Sequence, residues 1–192
     1  PDLSVDPESD PTFTYTVYAD VTDINGETHS SSTYTAVGYK SLRVGVTMGN
    51  IDQDVLKSDQ VFSIQTVSQS GQFLPANGTI KIYQLKMPDK AFRKRLWEQA
   101  DRTLYSKEEY YELFPNDQYQ DEANQYRWER GKEVFTTNFD TEVGRSFQIK
   151  GLKSWKSGLY VLEIKSKDKE GNEVKEQSYF ELMSGSAKRI AI

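Results

Sequence analysis

Three features of this sequence predict an all-β fold, a sandwich of short antiparallel strands. Apolar side chains recur at every second position in one short run after another, the period that gathers them on one face of a strand. Residues that favour turns separate the runs. A hairpin-like stretch near the start also returns 145 residues later, close to the end.

The elements follow in order. Residues 1–11 (PDLSVDPESDP) hold three prolines and four acidic residues, the composition of a linker. From 13 to 21, Phe13, Tyr15, Val17, Ala19 and Val21 share one face and Thr14, Thr16, Tyr18 and Asp20 the other, which predicts a half-buried strand. Asp23-Ile24-Asn25-Gly26 makes a turn, with Asn-Gly suited to the positive φ of tight hairpins. A Ser- and Thr-rich strand returns over about 28–38. Seven further strands are expected: Leu42 to Met48, Phe62 to Thr66, Ile80 to Ile82, Val134 to Thr136, Phe147 to Ile149, 158–167 and 173–183. Seven short strands spaced by turns predict an immunoglobulin- or fibronectin III-like β-sandwich.

Residues 86–131 break the period and predict a helical insert. In KAFRKRLWEQ, Phe92, Leu96 and Gln99 fall near helical spacing. Ser106 with Glu109 forms a capping box, followed by Tyr110, Leu113 and Phe114 at i, i+3 and i+4. EANQYRWERG predicts a third short helix ending at Gly131 as a C-cap. A connection this long inside a sandwich is often functional.

The echo pairs Tyr15 with Tyr160, Asp23 with Asp168, Gly26 with Gly171 and Tyr34 with Tyr179. Val17, Ala19 and Val37 fall opposite Leu162, Ile164 and Leu182. Each copy has an aromatic, two alternating aliphatics, a charged turn closed by glycine, and a returning strand with a tyrosine. Two successive domains that end alike would produce this pattern. Residues 12–40 are then the closing hairpin of a preceding domain, 41–184 a complete sandwich, and 185–192 a linker to the next.

Composition excludes much chemistry. With no cysteine, neither a disulfide nor a thiolate site can form. His29 is the only histidine, so neither a His-based triad nor a two-His metal site can be assembled from this chain alone. No glycine-rich phosphate loop or nucleophile elbow is present. A net charge of −5 without a basic tract argues against a nucleic-acid partner. No apolar stretch approaches the roughly 20 residues of a membrane span. The chain begins at Pro1 and is expected to be a segment of a longer secreted protein.

The hairpin YTVYADVTDING, Tyr15 to Gly26, resembles the closing hairpin of macroglobulin domains in the alpha-2-macroglobulin family. SGLY at Ser157–Tyr160, running on to Asp168 and Gly171, resembles the same hairpin in the next domain. GTIKIYQL, Gly78 to Leu85, is similar to the mid-domain strand of bacterial members, and the insert after it to one found in that branch. The resemblance implies a non-catalytic structural module of a large protease-trapping protein, secreted or in the periplasm or cell envelope of a bacterium. Its partners would be the neighbouring domains, with proteases as targets of the parent. Family members can trap proteases through a Cys–Gln thioester, which this cysteine-free segment lacks. A carbohydrate- or protein-binding sandwich of a cell-surface protein is the alternative.

No catalytic, cofactor or metal residues are assigned. Asp52, Asp54 and Asp59 share one loop and could offer oxygen ligands to a hard cation, but their spacing does not match an EF-hand and the plainer reading is a polar turn, as it is for Asp117, Asp121 and Glu122. Asn77-Gly78-Thr79 is a glycosylation sequon. The insert is rich in aromatics and arginine, the residues that dominate binding surfaces. Trp97, Tyr110, Tyr111, Tyr126, Trp128 and Arg127 are therefore the candidate interaction surface, or the core of a small packed subdomain.

Overall fold

The computed structural model describes residues 11–56, 59–90, 92–93, 102 and 104–185. The chain is mostly β-strand, with one short α-helix among the described residues. Strands β1 (Thr12–Thr22) and β2 (Thr28–Gly38) form a hairpin of their own. Eight strands follow: β3 (Leu42–Val46), β4 (Ile51–Asp52), β5 (Gln60–Ser68), β6 (Asn77–Leu85), β7 (Arg130–Asp140), β8 (Ser146–Ile149), β9 (Gly158–Lys167) and β10 (Glu173–Met183). They make a five-stranded sheet, β4-β10-β9-β6-β7, and a three-stranded sheet, β3-β5-β8. All pairings are antiparallel except the two-residue contact of β4 with β10.

One hydrophobic core serves both sheets. Leu42, Val44 and Val46 of β3, Ile64 of β5, and Phe147 and Ile149 of β8 belong to the same cluster as Ile80 and Ile82 of β6 and Tyr160, Leu162 and Ile164 of β9. These are the alternate positions of each strand, as the period-two pattern requires. Tyr160 stacks on Phe180 of β10 with ring centroids 5.4 Å apart, packs against Trp155, and donates its hydroxyl to the Lys156 carbonyl. The buried Thr141 hydroxyl lies 2.8 Å from that of Thr66 and accepts from the Ala76 amide at 2.9 Å.

The two hairpins are copies in register as well as in sequence. Tyr15 pairs with Thr35 and Thr22 with Thr28; at the same offset Tyr160 pairs with Phe180 and Lys167 with Glu173. The Asp23 carboxylate accepts from the Asn25 and Glu27 amides at 2.8 and 2.9 Å, and Asp168 accepts from Glu170 and Asn172 at 3.1 and 2.8 Å. Gly26 and Gly171 close these turns with φ of 84° and 89°, a conformation costly for any residue with a Cβ.

Three expectations need correcting. Alternation in β1 predicts a half-buried strand, but apart from Phe13 its residues are exposed, because no second sheet covers the hairpin among the described residues. The third helix of the insert is a three-residue 3-10 turn, Gln125–Arg127, capped by the Asn124 side chain. Gly131 is no C-cap: it lies in β7, whose Arg130 already pairs with Leu85. Most of KAFRKRLWEQ, with Leu96, Trp97 and Gln99, lies outside the described residues. The capped helix is present as α1 (Lys107–Leu113), with both bonds of the Ser106–Glu109 box formed.

Candidate interaction surfaces

The insert leaves the sandwich after β6 and re-enters at β7, so its ends are strand neighbours: the Lys86 amide donates to the Glu129 carbonyl at 2.9 Å. It meets the outer face of the five-stranded sheet through Tyr126. Val161 and Glu163 of β9 point away from the shared core yet are buried. Tyr126 meets Tyr179 of β10 edge to face at 4.8 Å. Arg130 pairs with Glu163 at 2.9 Å and lies over the Tyr83 ring, while Lys165 reaches the other Glu163 oxygen at 3.5 Å. A buried carboxylate needs such partners.

Within the insert the aromatic residues hold one another. Tyr110 packs on Phe114 at 5.1 Å and on Tyr119 at 5.4 Å, and Tyr111 on the buried Phe92 at 6.3 Å. The Lys90 ammonium sits 3.6 Å from the Tyr111 ring centroid, a cation–π contact. Glu122 joins the two halves of the insert. It accepts from Gln120 N at 2.7 Å and pairs with Lys107 of α1 at 3.3 Å, and its backbone carbonyl accepts the Trp128 indole N–H at 2.8 Å. Burial alone would push the Glu122 carboxyl up, but hydrogen bonds from Gln120, its own amide, Tyr111 and Lys107 outweigh it and hold the group below the usual carboxylate range. Burial, then the bond to Glu122, pushes the Tyr111 hydroxyl up.

The candidate residues therefore divide. Tyr110, Tyr111 and Trp128 are half-buried members of a packed subdomain. Tyr126 and Arg127 are exposed, and Arg127 is paired with Asp121 at 2.8 Å. Trp97 lies outside the described residues. The three loop carboxylates serve separate ends. Asp52 caps the turn at Asp54 N, Asp54 accepts from Gly185 N at 2.6 Å, and Asp59 accepts from Gly151 N at 3.1 Å. Among the described residues no group of three His, Cys, Asp or Glu is placed to hold a metal ion. His29 is exposed beside Glu27.

The second surface is the β1–β2 hairpin, which composition did not single out. Directly opposed residues share a face, so Phe13, Tyr15, Val17, Ala19 and Val21 lie with Val37, Thr35, Thr33, Ser31 and His29. Tyr15, Val17 and Val37 are 43%, 56% and 50% exposed, whereas their counterparts Tyr160, Leu162 and Leu182 are 1%, 0% and 0% exposed. The signal was in the sequence as the echo, but alternation reports an amphipathic strand and not the presence of its cover. The hairpin joins the sandwich at Ser41, whose amide donates to Asp168 at 3.2 Å and whose hydroxyl donates to Glu170 at 2.7 Å. No described helix is long and apolar enough to cross a membrane. Compared with protein-family models and with curated proteins, the sequence matches none.

Proposed function

We propose that this chain is a non-catalytic structural module of an alpha-2-macroglobulin-like protease-trapping protein, with the last hairpin of one module followed by a whole second module. The observation that carries the reading is the duplicate hairpin: β1–β2 repeats the register and turn of β9–β10, yet its apolar face lies open. A hairpin made to close a sandwich, followed at once by a sandwich that it does not close, fits an array of like modules.

The immunoglobulin-like assignment has two supports. With β3, β5 and β8 read as strands A, B and E, the order β7-β6-β9-β10 reads as C′, C, F and G. The Tyr160 hydroxyl bonded to the carbonyl four residues upstream is the contact of a tyrosine corner at the start of strand F. In this reading the insert occupies the C–C′ connection and its aromatics stabilise that excursion. The module's work is connective, in a bacterial envelope protein whose targets are proteases.

The test is to recover the natural chain that carries these residues and expose it to a protease. The expected result is similar sandwich modules on both sides and a change of shape on cleavage. A natural chain no longer than these 192 residues overturns the reading.

A further inference from the structure

We propose that the outer edge of β1 is a strand-acceptor site, and that its occupant is an antiparallel strand with the chemistry of β6. The proposal rests on the module reading and adds the identity of the missing neighbour: which edge it takes, in which register, and through which amides.

The chain contains its own template. In the second hairpin the outer edge of β9 is paired over Gly78–Gln84 of β6, whereas among the described residues the outer edge of β10 is strand-paired only with Ile51 and Asp52. Ile80 lies opposite Ile164, Ile82 opposite Leu162 and Gln84 opposite Tyr160. Carried to the first hairpin, the register sets aliphatic side chains opposite Ala19 and Val17, on the open apolar face, and a polar one opposite Tyr15.

The backbone fixes which groups would bond. The Asp23 amide donates to Glu27 O, so the bonded pairs of the β1–β2 ladder alternate from that closing pair through Val21 and His29. The amides of Thr14, Thr16, Tyr18 and Asp20 then point outward.

Among the described residues that edge is also unpaired. Natural edge strands carry lysine, proline or bulges, or are short. The outer strands of the sandwich follow this rule: β7 carries Arg130 and Lys132 and pairs through bulges, β8 has four residues, and β3 has five with Arg43 among them. Strand β1 runs 11 residues without lysine, arginine, proline or a register shift, and Asp20 is its one charged side chain. Such an edge is built to be covered.

The test appends the β6 sequence NGTIKIYQL ahead of Pro1 of the whole chain, so that residues 1–11 serve as the connector and the strand is presented at high effective concentration. Residue-resolved amide exchange is compared with the unmodified chain and with a control strand whose two isoleucines are lysine. The expected result is that exchange at Thr16, Tyr18 and Asp20 slows by roughly tenfold or more, and not with the lysine control. No slowing, slowing only at the outward amides of β2, or equal slowing with the control overturns the proposal. The same three amides in the natural parent separate the two ideas. Protection there without capture of the appended strand sinks the β6-like chemistry alone; a parent with no neighbouring module sinks the module reading.

Discussion

The Ser41 amide donates to the Asp168 carboxylate, so the residue that leaves the first hairpin is clasped by the turn of the second. Asp168 also accepts from Glu170 N, Asn172 N and the Asn172 side chain at 3.0 Å. Burial would push its carboxyl up, but the bonds from Asn172, Ser41 and Glu170 win, and it titrates below the ordinary range. A lowered pKa means stability that is fully present above the unfolded value, about 3.9, and lost as pH falls through the folded one. Asp168→Ala should cost about 1–3 kcal/mol at neutral pH, and its deficit against the parent should shrink below about pH 4. Urea denaturation at several pH values checks this; a deficit independent of pH would disprove the charged clasp.

Tyr160 supplies the alkaline counterpart. Burial pushes its hydroxyl up to about 12. A raised pKa gives stability that is intact below the unfolded value near 10 and is lost as pH rises through the folded one. Tyr160→Phe keeps the stack on Phe180 and removes the bond to Lys156 O. It should cost about 0.5–1.5 kcal/mol at neutral pH and flatten the loss of stability between about pH 10 and 12, read by denaturant titration.

Gly78 is pressed against β9. A Cβ there would lie 2.1 Å from the Lys165 carbonyl oxygen and 2.9 Å from the Phe139 ring. Gly78→Ala should destabilise by about 1–3 kcal/mol, through forced separation of β6 from β9. Thermal unfolding measures it, and a variant as stable as the parent would contradict the close approach.

The insert separates packed from solvated residues. Trp128→Phe keeps a ring and deletes the N–H donated to Glu122 O, which should cost about 1 kcal/mol. Arg127→Ala removes only an exposed pair with Asp121 and should change stability by less than about 1 kcal/mol. Chemical denaturation of both variants decides the matter: equal losses would mean that the insert is not organised around Glu122.

Much of this architecture could be read before any coordinate. In β3, β6, β8 and β9 apolar side chains recur at every second position, and Ser106 with Glu109 states where α1 begins. What escaped has physical causes. Strand β4 is two residues, Ile51–Asp52, too short for any period, and exists because β10 offers it an edge. The 3-10 turn at Gln125–Arg127 passed for a helix because Gly131 read as the C-cap of the stretch EANQYRWERG, while strand pairing at Arg130 stops it. Tyr110 and Tyr111 were legible as aromatic but not as partners of Phe114, Tyr119 and Phe92, since composition does not say which rings meet. The carboxylates Asp52, Asp54 and Asp59 are close in sequence, yet each is drawn to a different backbone amide.

The clasp at Ser41 also sets a route for mechanical load. Tension applied through β1 and β2 would reach the sandwich at Lys40, whose carbonyl the Gln69 side chain holds, and at Ser41, clasped by the loop at the outer tip of β9 and β10, before it reached the buried Leu42 of β3. Bonds at such a tip open one after another, as a zip does, instead of sharing the strain. The joint would therefore yield before the body it is fastened to.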